Sequence, residues 1–240
     1  MKTTILKSVM AVATASIAMT GFATQASAIG LTPDKEGEVN VGVEVEGAQY
    51  LSNDLFPFIE SIVSETDQST GAKSRLFIDH FDTANDYAGG VKLGTKDAGT
   101  NSEGFWFRPS EYVDGKSEEK GQLEVGTFTF NFNTVFEDLT INWFDTESKN
   151  TTGAVAINGQ MLDSPDWVPQ GKDSNIFTQT FKNVESITLK LGNDKVNGTG
   201  DGVNFQLSGN PVPQSVPEPA TLGGLAIVGL ALAGRRKLKN

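Results

Sequence analysis

The segment VGTFTFNF, residues 125–132, alternates apolar and polar side chains with a period of two. Phe128, Phe130 and Phe132 fall on one side of an extended chain, and threonine and asparagine fall on the other. This pattern is typical of a β-strand that has one face in a hydrophobic core. Val125 has the opposite phase to the phenylalanines. The sequence therefore predicts a β-bulge at Gly126 and Thr127, where glycine tolerates the local geometry.

Strand patterns recur on both sides of this segment. Val39, Val41, Val43 and Val45 alternate with polar residues or glycine. Since strands recur without helical segments between them, the sequence predicts an all-β fold, an antiparallel β-sandwich of jelly-roll type over residues 29–209. Further strands are predicted at residues 139–144, 154–157, 177–181, 184–191 and 203–207, separated by turn dipeptides at Asn158-Gly159, Asn193-Asp194, Asn197-Gly198 and Asp201-Gly202.

One segment departs from the strand pattern. Leu55, Phe58, Ile59 and Ile62 have helical spacing and follow the possible N-cap residues Ser52 and Asp54, with Pro57 placed where a first helical turn tolerates proline. The sequence predicts a short helix there. Long loops are predicted at residues 89–103 and 114–121, which are rich in glycine and charge.

The charge of the chain excludes one class of partner. The 240 residues carry a formal charge of -11, but six of the 19 basic residues and only one of the 30 acidic residues lie within residues 1–28 and 217–240. The remainder holds 13 basic and 29 acidic residues, a net charge of -16. Such a surface repels phosphate backbones, so no nucleic-acid binding is expected. The chain has no cysteine, which rules out disulfides and thiol chemistry.

The N-terminal segment has the three parts of a secretory signal peptide. Lys2 and Lys7 form its positive start, an apolar stretch follows, and Ala26 and Ala28 meet the small-x-small rule of signal peptidase. Cleavage is predicted after Ala28, with a membrane-anchoring first helix as the alternative.

The C-terminal segment combines an apolar run with a basic end. Residues 221–234 are uncharged and are followed by Arg235, Arg236, Lys237 and Lys239. The 14 residues reach only about 21 Å, less than a bilayer core of about 30 Å, unless neighbouring residues extend the span. We predict a transmembrane helix at about residues 220–234 and a cytoplasmic basic tail at residues 235–240. Residues 210–216 are read as a linker, and a buried core helix is the alternative for the apolar run.

These C-terminal residues resemble a known family. Pro217, Glu218 and Pro219, followed by an apolar helix and a basic end, are similar to the sorting signal of PEP-CTERM proteins, here residues 217–240. The resemblance implies recognition by exosortase, a membrane protease or transpeptidase of bacteria with an outer membrane and abundant exopolysaccharide. It also implies removal of the tail near Pro217 to Pro219 and export to the cell surface or extracellular matrix.

Two inner motifs resemble a narrower group. Leu123-Glu124-Val125-Gly126 is similar to the signature of the LEVG group of PEP-CTERM proteins, and WFDTES at residues 143–148 is similar to segments of PEP-CTERM ectodomains. Neither resemblance implies a biochemical activity.

The sequence offers little for catalysis. Its one histidine, His80, has Asp79, Asp82 and Asp86 nearby, but Asp79 and His80 would face opposite sides of a strand. A solvated strand end explains these residues without chemistry. No nucleophile elbow occurs, whereas a pair of carboxylates, as in a glycan-active hydrolase, remains an open alternative because acidic residues are abundant.

The segment GNDKVNGTGDG, residues 192–202, offers oxygen ligands for calcium. Asp194, Asn197, Thr199 and Asp201 are hard donors, although their spacing differs from that of an EF-hand loop. Two hairpin turns explain the same residues without an ion. Calcium is thus a possible ligand, and no other cofactor is expected.

Carbohydrate contact is predicted at exposed aromatic residues. In GFWFRPSEY, Trp106 and Arg108 share one strand face, and SPDWVP is predicted to be a proline-bounded loop that contains Trp167. The alternative is that both tryptophans belong to the core. The sequence as a whole predicts a non-enzymatic, exported surface or matrix protein, with an exopolysaccharide-binding module and a glycan-active hydrolase as alternatives.

Overall fold

The computed structural model describes residues 27–67, 71–94, 104–113, 115–117, 125–172, 174–192 and 203–213. Strands dominate this part of the chain, and its helical content is limited to the 3-10 turns Asn53–Leu55 and Ala88–Gly90. The strands are β1 (Ile29–Gly30), β2 (Gly37–Val39), β3 (Ile59–Glu65), β4 (Lys73–His80), β5 (Asn85–Tyr87), β6 (Val91–Leu93), β7 (Phe105–Val113), β8 (Lys116–Ser117), β9 (Gly126–Phe144), β10 (Gly153–Ile157), β11 (Gln160–Trp167), β12 (Ile176–Leu191) and β13 (Asn204–Pro211).

One large sheet organises these strands. Its order is β11-β10-β12-β9-β13-β7-β4-β2, with β3 paired to β9, β1 to β13 and β8 to β7, while β5 and β6 form a separate hairpin. Every strand pair is antiparallel. The structure confirms the prediction of an all-β, antiparallel fold.

β9 contains the segment that suggested this fold, and it is the central strand. Its first half lies between β3 and β12, and its second half lies between β13 and β12. We call the part of the sheet around the first half of β9 its first half, and the part around the second half of β9 its second half. The two halves of the sheet enclose one core, in which Phe130 of the first half contacts Phe107 and Phe205 of the second at ring distances of 5.5 and 5.8 Å. Each fully buried phenylalanine contributes about 1.5–3 kcal/mol, so this contact is a main source of stability.

The prediction of a β-bulge at Gly126 and Thr127 is wrong. Gly126 pairs with Leu191 and Thr127 with Lys190 in regular register. The glycine is needed for close packing, because a Cβ atom there would lie 2.5 Å from Cε2 of Phe128 and 2.9 Å from Cβ of Ser74. The register of β9 shifts further along the strand, between Asn131 and Phe136 opposite β12 and between Phe136 and Asp138 opposite β13.

The prediction of a short helix around Leu55 to Ile62 is also wrong. The Ser52 hydroxyl caps a 3-10 turn by accepting a hydrogen bond from the Asp54 backbone N–H, and β3 then begins at Ile59. The pairing of β3 with β9 shifts between Ile59 and Ser61. Because a bulge adds a residue, both Ile59 and Ile62 become buried. The resulting three-residue spacing imitates one turn of a helix.

The predictions of a hairpin turn and of several strands are confirmed wholly or in part. The hairpin turn at Asn158-Gly159 is confirmed, since both residues have positive φ angles of 51° and 72° between β10 and β11. Val39, Val41 and Val43 are buried as predicted, but β2 ends at Val39 because the Asn40 side chain accepts a hydrogen bond from the Gly42 N–H. The predicted strands at residues 177–181 and 184–191 form one strand, β12.

Four segments predicted as loop or linker contain strand. SPDWVP overlaps β11, residues 89–103 include β6, and residues 114–121 include β8. β13 extends through Pro211 into the predicted linker at residues 210–216. The turns predicted at Asn193-Asp194, Asn197-Gly198 and Asp201-Gly202 lie outside the described residues.

Candidate functional site

The outer face of the first half of the sheet carries a row of residues that are paired across five strands. Glu65 pairs with Thr127, Thr127 with Lys190, Lys190 with Gly153, and Gly153 with Trp167. Residues directly opposite each other in antiparallel strands point to the same face. Trp167, which is half-buried, therefore lies on the same outer face as Lys190, Thr127 and Glu65.

A second row runs beside the first. Val63, Thr129, Thr188, Ala156 and Met161 are paired in that order across five strands. The Thr129 hydroxyl donates to Glu65 Oε1 at 2.8 Å and lies 3.0 Å from the Thr188 hydroxyl. Val63 and Met161 are exposed, Met161 with 73% of its surface accessible. The row thus combines hydroxyl groups in the centre with apolar side chains at its ends.

A third row completes this face. Asn131 pairs with Ser61 on one side and Ser186 on the other, and its Nδ2 donates to the Ser61 hydroxyl at 3.0 Å. Beyond the first row, the buried carboxylate of Asp67 accepts from the Thr127 hydroxyl at 3.5 Å and lies 4.0 Å from Lys190 Nζ.

Two adjoining depressions follow these rows, and we refer to them together as the polar groove. One has a volume of about 500 Å³ and contains Glu65, Asp67, Thr129, Met161 and Lys190 among its lining residues. The other has a volume of about 440 Å³ and is lined by Glu60, Ser61, Asn131, Phe132, Asn158, Gly159, Glu185 and Ser186. Gly159 borders both. Four carboxylates against one ammonium group give the polar groove a negative charge.

Trp106 and Arg108, which the sequence offered for carbohydrate contact, lie inside the protein. Trp106 is 3% exposed and packs against Phe144 at a ring distance of 5.7 Å. Arg108 is 2% exposed, and its Nη1 lies 3.1 Å from Oδ2 of Asp79. Neither side chain presents a face to solvent, so the core alternative describes Trp106.

The β5–β6 hairpin covers a buried layer of charged residues on β2, β4 and β7. Arg75 donates from Nε and Nη2 to the two carboxylate oxygens of Glu38, both at 2.7 Å, and from Nη1 to the Ala88 carbonyl. Burial raises the pKa of Asp79 to about 6, against the opposing effect of the Arg108 guanidinium. Burial also raises the pKa of Tyr87, with a further contribution from the charge of Asp79. Glu38, Arg75, Asp79 and Arg108 are all buried in this second layer.

His80 and Asp79 lie on opposite sides of β4, as the strand geometry predicted. The His80 ring contacts Phe105 and pairs through Nδ1 with Asp82, whereas Asp79 points to Arg108. Asp86 is exposed on β5 and lies 3.8 Å from Lys92 Nζ. In the described residues, no cluster of three or more histidine, aspartate or glutamate side chains could hold a metal ion. The possible calcium ligands Asp194, Asn197, Thr199 and Asp201 lie outside those residues.

Sequence reasoning missed the polar groove. The signal was present in the opening segment, because Thr127, Thr129 and Asn131 alternate with the phenylalanines and must face away from the core. Their cross-strand partners on β3 and β12 could not be read from the chain, since a register depends on which strands pair and where the bulges fall.

A family model described as the PEP-CTERM protein-sorting motif matches residues 215–237. The chain is a PEP-CTERM protein. This confirms the resemblance drawn from Pro217, Glu218 and Pro219, and it leaves the narrower LEVG resemblance without confirmation. No curated protein and no solved structure matches the chain.

The PEP-CTERM motif indicates an exported protein that is processed at the membrane, and it implies processing by exosortase. Its residues, including Arg235, Arg236 and Lys237, lie outside the part of the chain that the structure describes, as does the predicted transmembrane segment at residues 220–234. Within the described ranges, no helix is long and apolar enough to span a bilayer.

The two ends of the described part of this PEP-CTERM protein lie side by side. Ile29 of β1 pairs with Gly209 of β13, and the Val212 N–H donates to the Val135 carbonyl. Ala28, the last residue before the predicted signal peptidase site, is exposed, and Ala26 lies outside the described residues. β1 therefore begins at the residue that cleavage after Ala28 would leave first.

Proposed function

We propose that the chain is the precursor of a non-enzymatic surface or extracellular-matrix protein. In this proposal signal peptidase cuts after Ala28, residues 220–234 anchor the precursor in the inner membrane, and exosortase then removes the tail near Pro217 to Pro219. The observation that carries the proposal is the sorting motif at residues 215–237. It follows β13, which ends at Pro211 and is the last strand that the structure describes.

The positions of the strands support processing at both ends. Cleavage after Ala28 would leave the pairing of Ile29 with Gly209 intact. Cleavage near Pro217 to Pro219 would remove no residue of β13. Both events would thus release the ectodomain with the described strand pairs of β1 and β13 intact. For the ectodomain we propose a sandwich of jelly-roll type, supported by the contact of Phe130 with Phe107 and Phe205 across the core.

The assignment as non-enzymatic is supported by the surroundings of Asp79, a carboxylate with a perturbed pKa. Asp79 has the raised pKa that an acid catalyst needs, but it is buried under the β5–β6 hairpin and paired with Arg108. A substrate could not reach it without displacement of that hairpin. Release of reducing ends from polysaccharides by the purified protein would contradict this part of the proposal and favour a glycan-active hydrolase.

A second candidate function, binding of exopolysaccharide, is favoured by one observation. The polar groove offers hydroxyl, amide and carboxylate groups beside exposed apolar side chains, a combination that suits carbohydrate. Trp167 shares this outer face, whereas Trp106 and Arg108 are buried.

The sorting proposal is tested by expression of the full chain in a host with exosortase and in the same host without it. Mass spectrometry of the C terminus, together with membrane fractionation, reports the processing. We expect the released protein to lack Arg235, Arg236 and Lys237 when exosortase is present, and to remain in the membrane with its tail when it is absent. Glu218→Ala should prevent release, whereas Pro213→Ala, outside the motif, should not. Intact tails in released protein would overturn the proposal.

A further inference from the structure

We propose that the polar groove binds a polysaccharide chain without acidic sugars, and that this chain lies across the strands rather than along them. The inference rests on the proposed export to the surface or matrix, where such a polymer would be met. It assigns the ligand class and the residues that contact it: Thr129 and Lys190 line the groove, and Trp167 lies at the end of the first row on the same outer face.

The spacing of hydrogen-bonding groups supports a chain that crosses the strands. Neighbouring strands lie about 4.8 Å apart, so the row from Glu65 to Trp167 extends over about 19 Å in four steps. Hydroxyl or charged groups occupy three of its five positions, at Glu65, Thr127 and Lys190. The parallel row presents the hydroxyls of Thr129 and Thr188, 3.0 Å apart. A polymer of hydroxyl-rich units can meet a polar group on three of the five strands, β3, β9 and β12.

Apolar contacts lie where a sugar ring needs them. Sugar rings carry C–H groups on their faces, and these pack on aromatic or aliphatic side chains while the hydroxyls at the rim form hydrogen bonds. Trp167 ends the first row, and Val63 and Met161 end the second. The 73% exposure of Met161 gives the groove a flexible apolar wall. The polar centre and apolar ends together fit a carbohydrate better than a purely apolar ligand.

The charge of the polar groove determines which class of carbohydrate it can bind. Glu60, Glu65, Asp67 and Glu185 line the groove, and Lys190 already lies 4.0 Å from the Asp67 carboxylate. A uronic-acid polymer would place its carboxylates against these groups, and like charges in close contact are unfavourable. Neutral or amino-bearing sugars avoid this repulsion.

The test uses the full chain in detergent micelles, so it does not depend on signal processing and its failure is distinct from failure of the sorting proposal. Microscale thermophoresis with cellohexaose, fully deacetylated chitohexaose and an alginate hexamer samples neutral, amino-bearing and acidic chains. We expect binding of a non-acidic probe and no binding of alginate. Trp167→Ala and Thr129→Val should each weaken that binding roughly fivefold or more, as expected for loss of a ring contact or a hydrogen bond.

A matched control lies on the same strand. Thr140 pairs its hydroxyl with Thr180 at 3.1 Å on the outer face of the second half of the sheet, away from the groove. Thr140→Val should leave binding unchanged, and thermal melting checks that all variants fold. Binding of no probe, preference for alginate, or equal effects of Thr129→Val and Thr140→Val would overturn the proposal. Concentration-dependent dimerisation that Thr129→Val abolishes would instead assign this face to a second copy of the chain.

Discussion

Replacement of Gly126 by alanine tests whether the glycine of the LEVG segment serves the fold. The added Cβ would lie 2.5 Å from Cε2 and 2.9 Å from Cζ of the buried Phe128 ring, and 2.9 Å from Cβ of Ser74. All three contacts are shorter than packed carbon atoms tolerate. The Phe128 ring cannot move freely, because it lies in the core with no exposed surface.

The expected change in the free energy of unfolding follows from two opposing effects. Overpacking of a core costs typically about 1–3 kcal/mol. Alanine restricts the unfolded chain more than glycine does, which returns about 0.4–1 kcal/mol. We therefore expect Gly126→Ala to lower the free energy of unfolding by about 1–2 kcal/mol. Urea denaturation followed by tryptophan fluorescence measures this as a lower midpoint at unchanged slope.

Gly30 supplies the matched control. It also lies in a strand, but an added Cβ there has no atom within 4 Å. Gly30→Ala should be neutral or slightly stabilising, because only the effect on the unfolded chain remains. Phe128→Leu combined with Gly126→Ala should cost less than the sum of the two single changes, since the clash and the ring are removed together. A Gly126→Ala protein as stable as the wild type would refute the packing argument.

Two further predictions concern the buried charged layer. Glu38→Ala should destabilise the protein by about 3–5 kcal/mol, because it leaves the Arg75 guanidinium buried without its carboxylate. The double change Glu38→Leu with Arg75→Leu should cost less than Glu38→Ala alone, since no buried charge remains. A double variant that is less stable than the single variant would contradict this prediction. The pKa of Asp79 is raised from 3.8 to about 6 in the folded protein, so the native state binds the proton more tightly than the unfolded state does. Its contribution to stability is therefore fully present below about pH 4 and is lost as the pH rises through 6, by up to about 3 kcal/mol. Asp79→Asn should remove this part of the pH dependence in denaturation at pH 4 to 8, and equal slopes in both proteins would show that Asp79 does not titrate there.

The sequence predicted those parts of the fold that depend on local patterns. Alternation in β9 and β12 and the Asn158-Gly159 turn needed no information from distant residues. The segment around Ile59 and Ile62 misled the prediction because a bulge gives strand residues a three-residue spacing. β11 was missed because Pro165 and flanking polar residues are typical of loops, although proline is acceptable in a strand at the sheet edge.

The buried charged layer could not be predicted for a different reason. Arg75 and Asp79 lie on either side of the apolar run Leu76-Phe77-Ile78 in β4 and would ordinarily be placed in solvent. Their burial depends on Glu38, which is 37 residues from Arg75 in sequence, and on Arg108, which is 29 residues from Asp79. A charged side chain is tolerated in a core only beside its partner, and that partner is known only when the strand order is known. The rows of the polar groove could not be predicted for the same reason, because they too depend on the strand order.

Maturation would change the electrostatics on which groove binding depends. Loss of residues 1–28 and 217–240 removes six basic residues and one acidic residue, so the net charge falls from -11 to -16. The mature protein would then repel acidic polymers more strongly than its precursor, but at physiological salt this long-range effect is screened beyond about 8 Å. Discrimination between glycans would therefore have to arise within the groove, which Glu65 and Asp67 line. It follows that higher salt should weaken the retention of a neutral chain little, since hydroxyl and amide hydrogen bonds are largely insensitive to ionic strength.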